Sequence, residues 1–262
     1  MPRSIPSEHA DRIMSDSLYS FFEAVLSKLK GREYELDRRI PLHLFMMIFL
    51  RRFGWLVRGV IRTLLLTGKP AMVFIAPGVK LRNLSLCSFG KGVTLETGVI
   101  LDGLSYEGVS LGDNVTIGPY SEIRSSMLSS LGAGLRLGKN SGCGAYSFIG
   151  AGGPIRIGEH VIMGQHVSFH AENHNFSRTD IPIRMQGVTK KGITVEDDCW
   201  VGANVTFLDG CHVGRGCVVA AGAVVRGEVP PFSVIAGVPA RVLRSRQPTE
   251  FPPEKLAALA RQ

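Results

Sequence analysis

Apolar residues head every sixth position from Val195 to Val225: Val195, Val201, Phe207, Val213, Val219 and Val225. The same step recurs in three earlier blocks: Leu111, Ile117 and Ile123; Leu137, Cys143 and Ile149; Ile157, Met163 and Phe169. Glycine follows many of these heads, as at Gly112, Gly118, Gly138, Gly144, Gly150, Gly158 and Gly164. Together these observations predict an all-β core built as a left-handed parallel β-helix of hexapeptide repeats. Each hexad is a short strand and a turn, three hexads close one triangular coil, and the head residue points inward to stack on its equivalent in the next coil. Coils bury their apolar faces only against neighbours, so stability accumulates along the stack. A sandwich of short strands would not keep a six-residue register over such a length.

Three segments follow from this pattern: a helical, basic and apolar N-terminal segment (1–69), the β-helix (70–246) with an inserted loop at 170–194, and a C-terminal tail or short helix (247–262). The chain has 262 residues, 45% of them apolar, enough for a sizeable core. The first 17 residues are polar and include Asp11 and Asp16, unlike a secretory leader, which points to the cytoplasm. Five cysteines (Cys87, Cys143, Cys199, Cys211, Cys217) show no CxxC spacing and read as small buried packing residues in a reducing compartment.

Residues 17–30 carry Leu18, Phe21, Phe22, Val25, Leu26 and Leu29 at helical spacing, with Ser17 as cap and Gly31 as stop. Pro41 opens a second helical stretch over 41–66. Its apolar run from Leu42 to Leu50 is broken by Arg51 and Arg52, too early for the ~18–20 residues that span a bilayer. The net charge of +8 is concentrated nearby: Arg38, Arg39, Arg51, Arg52, Arg58, Arg62 and Lys69 occur with no acid among them. A nucleic-acid binder would spread such charge over a folded surface or interleave it with aromatics. Arg51, Arg58 and Arg62 share a helix face, with Trp55 and the leucines expected opposite. That pattern suits the plane of an anionic membrane surface; the same helix could instead pack within its own trimer. Gly68-Lys69-Pro70 marks the boundary. Beyond it, extra residues between the blocks (123 to 137, 149 to 157) mark small loops, and a long polar excursion separates Phe169 from Val195. Excursions of that length inside a compact domain are usually functional.

The last third carries Asp198-Cys199-Trp200-Val201-Gly202-Ala203, then Ala221-Gly222-Ala223-Val224-Val225, Pro230-Pro231, and finally Ile235-Ala236-Gly237-Val238-Pro239-Ala240-Arg241-Val242. On these residues the chain resembles the hexapeptide-repeat acyltransferases over roughly residues 72–246. It is most similar to the branch of galactoside, maltose, streptogramin and polysaccharide O-acetyltransferases, and within it to bacterial exopolysaccharide or O-antigen enzymes. The resemblance implies a homotrimer with sites between subunits, acetyl-CoA as acyl donor, no metal, and a glycan or lipid-linked sugar as acceptor. An N-acetyltransferase of a sugar nucleotide and an antibiotic acetyltransferase are the alternatives within the class.

Acetyl transfer to a hydroxyl needs a base for the hydroxyl proton, and histidine is suited to it at neutral pH. It also needs a donor for the oxyanion. The loop Ser168-Phe169-His170-Ala171-Glu172-Asn173-His174-Asn175-Phe176 supplies His174, which the resemblance marks as the base. Glu172 is a candidate to fix its tautomer. His170, Glu172, Asn173, Asn175, Gln186 and Trp200 are the candidate acceptor-site residues, with Asp180, Arg184, Lys190 and Lys191 shaping the loop. His160 and His166 fall within hexads and read as turn or surface residues. The resemblance also points to the Ala203 backbone N–H for the oxyanion, to Ala203, Ala221 and Ala223 beside an extended pantetheine, and to Arg226, Arg241 and Arg244 for the coenzyme phosphates. Sugar-acetylating relatives often carry an acceptor-contacting Asn one coil earlier; Tyr146 to Gly153 contains none here. A remote rival, the gamma-class carbonic anhydrases, would enlist His166, His170 and His174 as zinc ligands, but gives no reason for the Ala236–Arg241 stretch. A non-catalytic repeat scaffold would need no histidine in the loop.

Overall fold

The computed structural model describes residues 17–25, 27–28, 33, 35–37, 39–125 and 130–247. The expected end of the first helix at 29–31 and, Gln247 apart, the expected C-terminal helix lie outside the described residues. The chain divides after Gly54 into two compact units.

The first unit contains helix α1 (17–25) and the N-terminal part of helix α2 (Leu42–Thr67). Its small core is aromatic: Tyr19 and Phe22 pack on Phe45, with ring centroids 5.8 and 4.9 Å apart. Glu23 accepts the Leu36 N–H at 2.9 Å and ties the connection back to α1.

The second unit is the coil. Three parallel sheets run its length, a left-handed β-helix as the six-residue step requires. The first sheet has nine strands, from Val73–Ile75 to Ala240–Ser245, the last one antiparallel; the second and third have seven each. The predicted heads fall in register. Leu95, Ile117, Cys143, Met163, Val201, Val219 and Ile235 form one inward column, and Leu101, Ile123, Ile149, Phe169, Phe207 and Val225 another. These residues are buried, and each fully buried aliphatic side chain contributes about 1.5–3 kcal/mol of transfer free energy. Phe169 and Phe207 stack at 4.5 Å, filling the coil beside the insertion.

Two of the three corners are regular. Each puts one residue per coil in the left-handed region, and side chains other than glycine are common there: Tyr120, Tyr146 and His166 at one corner, Asn114, Asn140, His160 and Asp198 at the other, all with φ of 57–58°. His160 and His166 are therefore corner residues, as expected. Tyr120, Tyr146 and His166 stack into a ladder with centroids 5.3 Å apart, which offsets the steric cost of positive φ. The third corner, from the second sheet to the third, takes every insertion: the residues after Ile123, after Ile149 and after Phe169. The loops thus gather along one edge. The outer face of the third sheet is a solvated charge ladder, with Glu107 near Arg136 and Arg156, and His212 between Glu196 and Glu228.

The C-terminal half of α2 closes the end of the core. Trp55 is buried in the coil's apolar cluster. Arg58 and Arg62 donate to the carbonyls of Ile75 and Val79 at 2.9 and 3.0 Å. Thr63 Oγ1 accepts the Ala71 N–H at 2.9 Å. Gly68, at φ 72°, ends the helix. The expected division of α2 into an arginine face and a Trp/Leu face needs correction: Trp55 turns into the coil, the arginines reach its carbonyls, and other apolar residues face outward.

Candidate active site

The insertion leaves the coil after the strand Ser168–His170 and forms a two-stranded antiparallel hairpin, in which Asn173 pairs with Thr189 and His174 with Val188. Hairpin and return loop enclose a cleft of about 590 Å³ lined by Asn173, His174, Asn175, Gln186, Lys191 and Asp209 among others. Phe176 and Met185 stand exposed at its rim. His174 is exposed, and no side chain among the described residues bonds its imidazole. The ring is held through its backbone pairing alone and stays open to an incoming hydroxyl.

The hairpin is braced from inside. Asn175 Oδ1 accepts the Thr189 hydroxyl at 2.7 Å, and its Nδ2 donates to Gln186 O at 3.1 Å. Gln186 in turn accepts the Arg178 N–H at 3.0 Å and donates to Arg178 O and Ile181 O at 2.7 and 3.1 Å. Both residues were expected at the acceptor; they line the cleft, but these amides are engaged in holding the loop. Arg178 clasps Asp180 through two guanidinium bonds, which hold the exposed Asp180 carboxyl below its ordinary pKa. Outside the hairpin, Lys190 Nζ donates to Ser130 Oγ at 2.8 Å and lies 3.8 Å from Glu172. Glu172 thus faces Lys190, and no bond to His174 supports a tautomer-fixing role.

Asp209 was not singled out by the sequence. It accepts the N–H groups of Lys191 and Gly192 at 3.0 and 2.7 Å where the insertion rejoins the coil, and it lines the cleft. The available signal was Leu208-Asp209-Gly210, a turn triplet in the next hexad at the same corner, with Gly210 at φ 79°.

His170 lies outside the cleft, at a strand end with its ring 5.7 Å from Phe148. Trp200 is 60% exposed on the outer face of the first sheet, next to the corner that carries Ala203 and Ala221. There Gly222 N–H donates to Ala203 O at 2.9 Å. Gly202 and Asn204 N–H groups bond to Val219 O and Gln165 O, whereas Ala203 N–H makes no backbone hydrogen bond among the described residues. It has the availability an oxyanion donor needs. Ala223, expected beside the pantetheine, is completely buried, with its methyl in the core. Arg241 and Arg244 are exposed on the final antiparallel strand, and Arg226 is exposed on the insertion edge.

One chain therefore places His174 and Arg226 on one edge of the coil and Trp200, Ala203 and Ala221 on another. The rival zinc set is not assembled within it either: His166 sits in the aromatic ladder, His170 ends a strand and His174 is in the hairpin. No group of three His, Cys, Asp or Glu side chains among the described residues converges as metal ligands do.

The bacterial transferase hexapeptide (six repeats) model matches residues 192–227. A hexapeptide-repeat containing acetyltransferase of Vibrio cholerae, of known structure, is 30% identical over 53% of this chain and 74% of its own, with a TM-score of 0.45. On repeat, family model and sequence identity, the chain belongs to the hexapeptide-repeat acyltransferases. Among curated relatives, a probable acetyltransferase of Mycobacterium tuberculosis is 34% identical over 60% of this chain and 49% of that protein. The chain thus spans about half the length of that relative. The Escherichia coli protein WbbJ, which carries the name of a lipopolysaccharide biosynthesis O-acetyl transferase, is 29% identical over 63% of this chain and 74% of its own.

Proposed function

We propose that this protein is an acetyl-CoA-dependent O-acetyltransferase acting on a sugar hydroxyl in the synthesis of a bacterial surface polysaccharide or exopolysaccharide. One observation carries the reading: His174 projects from a braced hairpin into an open cleft with its imidazole uncommitted. In the reaction, the acceptor hydroxyl oxygen attacks the thioester carbonyl while His174 takes the hydroxyl proton. The tetrahedral oxyanion is held by the Ala203 N–H. Collapse breaks the carbon–sulfur bond, and the proton passes from His174 to the departing thiolate. The products are the acetyl ester and coenzyme A.

The placement of His174 and Ala203 on different edges supports a site shared between neighbouring chains of a homotrimer, with the hairpin of one meeting the Ala203 corner of the next. Trp200 and Ala221 then flank the donor, with Arg241 and Arg244 available to its phosphates. The acetyltransferase names of the relatives support the donor, and the name carried by WbbJ supports a polysaccharide hydroxyl as acceptor. The reaction is placed in the cytoplasm, where acetyl-CoA is made.

The test is acetyl-CoA consumption with a panel of glycans and lipid-linked sugars set beside amino-sugar nucleotides. Turnover with hydroxyl acceptors is expected. Turnover with the amines alone would replace O-acetylation by N-acetylation, and coenzyme A release with neither acceptor class would overturn the reading.

A further inference from the structure

The coil sorts the faces of α2. Trp55, Gly59 and Thr63 form the buried row, and Arg58 and Arg62 reach over to the carbonyls of Ile75 and Val79. The opposite row is apolar and open: Val57, Ile61, Leu64 and Leu65 are 41, 51, 47 and 77% exposed. A helix lying on a soluble domain ordinarily turns a polar face to water, and contiguous exposed apolar surface marks an interaction site. Arg58 and Arg62, four residues apart, line one border of this row, and α2 contains no acid.

That charge pattern selects the occupant. A second copy of the same face would bring arginine borders together with no carboxylate on either helix to neutralise them. An anionic bilayer accepts both features: the apolar row enters the boundary between headgroups and acyl chains, and guanidinium groups meet lipid phosphates. Both arginines are already steered by their bonds to coil carbonyls, each of which uses one N–H of a five-donor group. Among the described residues no helix is long and apolar enough to cross a membrane, so a helix lying in the plane is the geometry left to this face.

We propose that the part of α2 in the second unit docks in the plane of an anionic lipid surface, with Val57, Ile61, Leu64 and Leu65 buried at the headgroup boundary and Arg58 and Arg62 on the lipid phosphates. The docking stands on the helix alone and is independent of the acyl-transfer reading.

The experiment is co-sedimentation of the full chain with vesicles of phosphatidylcholine alone and of phosphatidylcholine mixed with phosphatidylglycerol. Binding is expected to be roughly tenfold or more tighter to the anionic vesicles and to weaken as salt screens it. The Ile61→Glu/Leu64→Glu variant is expected to lose roughly tenfold or more of that binding. Its thermal melt and its acetyl-CoA turnover with a soluble acceptor should be unchanged, which separates lost docking from lost folding. Leu65→Asp provides a second variant. Absence of wild-type binding, or full binding by both variants, overturns the proposal. So does an oligomer that falls apart in the variants without any vesicle binding by the wild type, which would assign the face to a contact between copies.

Discussion

Asn175 accepts the hydroxyl of Thr189 at 2.7 Å across the hairpin that carries His174. With the Asn175–Gln186 bond, it is the main polar clamp on an element of only two paired residues per strand. A two-stranded ribbon is marginal by itself, so the clamp decides how sharply His174 is aimed.

Replacing Asn175 by Ala, or Thr189 by Val, should therefore cost about 1 kcal/mol of local hairpin stability per lost bond. The turnover number should fall roughly tenfold or more, because small misplacements of a reacting group are expensive. Hydrogen exchange should rise across 173–189 and stay unchanged in the coil. Equal loss of protection in both would mean that Asn175 serves global stability instead.

Gly54 and Gly59 lie in one helix and should respond to alanine with opposite signs. A Cβ at Gly54 meets nothing within 4 Å, so Gly54→Ala should stabilise by about 0.5–1 kcal/mol through helix propensity. A Cβ at Gly59 would lie 1.7 Å from the Val73 carbonyl oxygen. Gly59→Ala must lift α2 off the coil end, and should destabilise by about 1–3 kcal/mol as overpacking does. Urea unfolding of the two variants checks the pair.

The cysteines are free and mostly buried. Burial pushes the Cys87 thiol up to about 12, with Asp102 adding to the effect, and burial likewise pushes Cys211 up to about 12. In the unfolded chain these thiols ionise near their ordinary value of 9.0. A folded-state pKa above the unfolded one means that their contribution is fully present below about pH 9 and is lost as pH rises from there toward 12. The melting temperature should fall over that window, and less steeply in a Cys87→Ser/Cys211→Ala variant. At pH 8 the buried thiols should react with a disulfide reagent only after denaturant is added.

Much of this fold was legible in advance because stacking leaves a strict mark. Each coil must place Leu, Ile, Val or Phe over its equivalent, so Val195 to Val225 could be read as a column before any coordinate. The insertion was legible as a break in that column. Its interior was not: nothing in the types of Asn175 and Gln186 distinguishes a brace from a ligand contact, and Asp209 acts on residues that become neighbours only when the coil closes. The orientation of α2 was hidden for a related reason. Periodicity defines two faces but not which one turns inward, and the choice fell to Trp55 because the open coil end needed a large apolar plug.

The rate of coenzyme A release by His174→Ala, at saturating acetyl-CoA and acceptor, tests the chemistry most directly. His174 is exposed and its imidazole supports no other side chain, so the melt and the affinity for coenzyme A should match the wild type. The predicted result is a fall in turnover number of about 10²–10⁴, the usual worth of a general base. Wild-type turnover in the variant would remove His174 from the reaction.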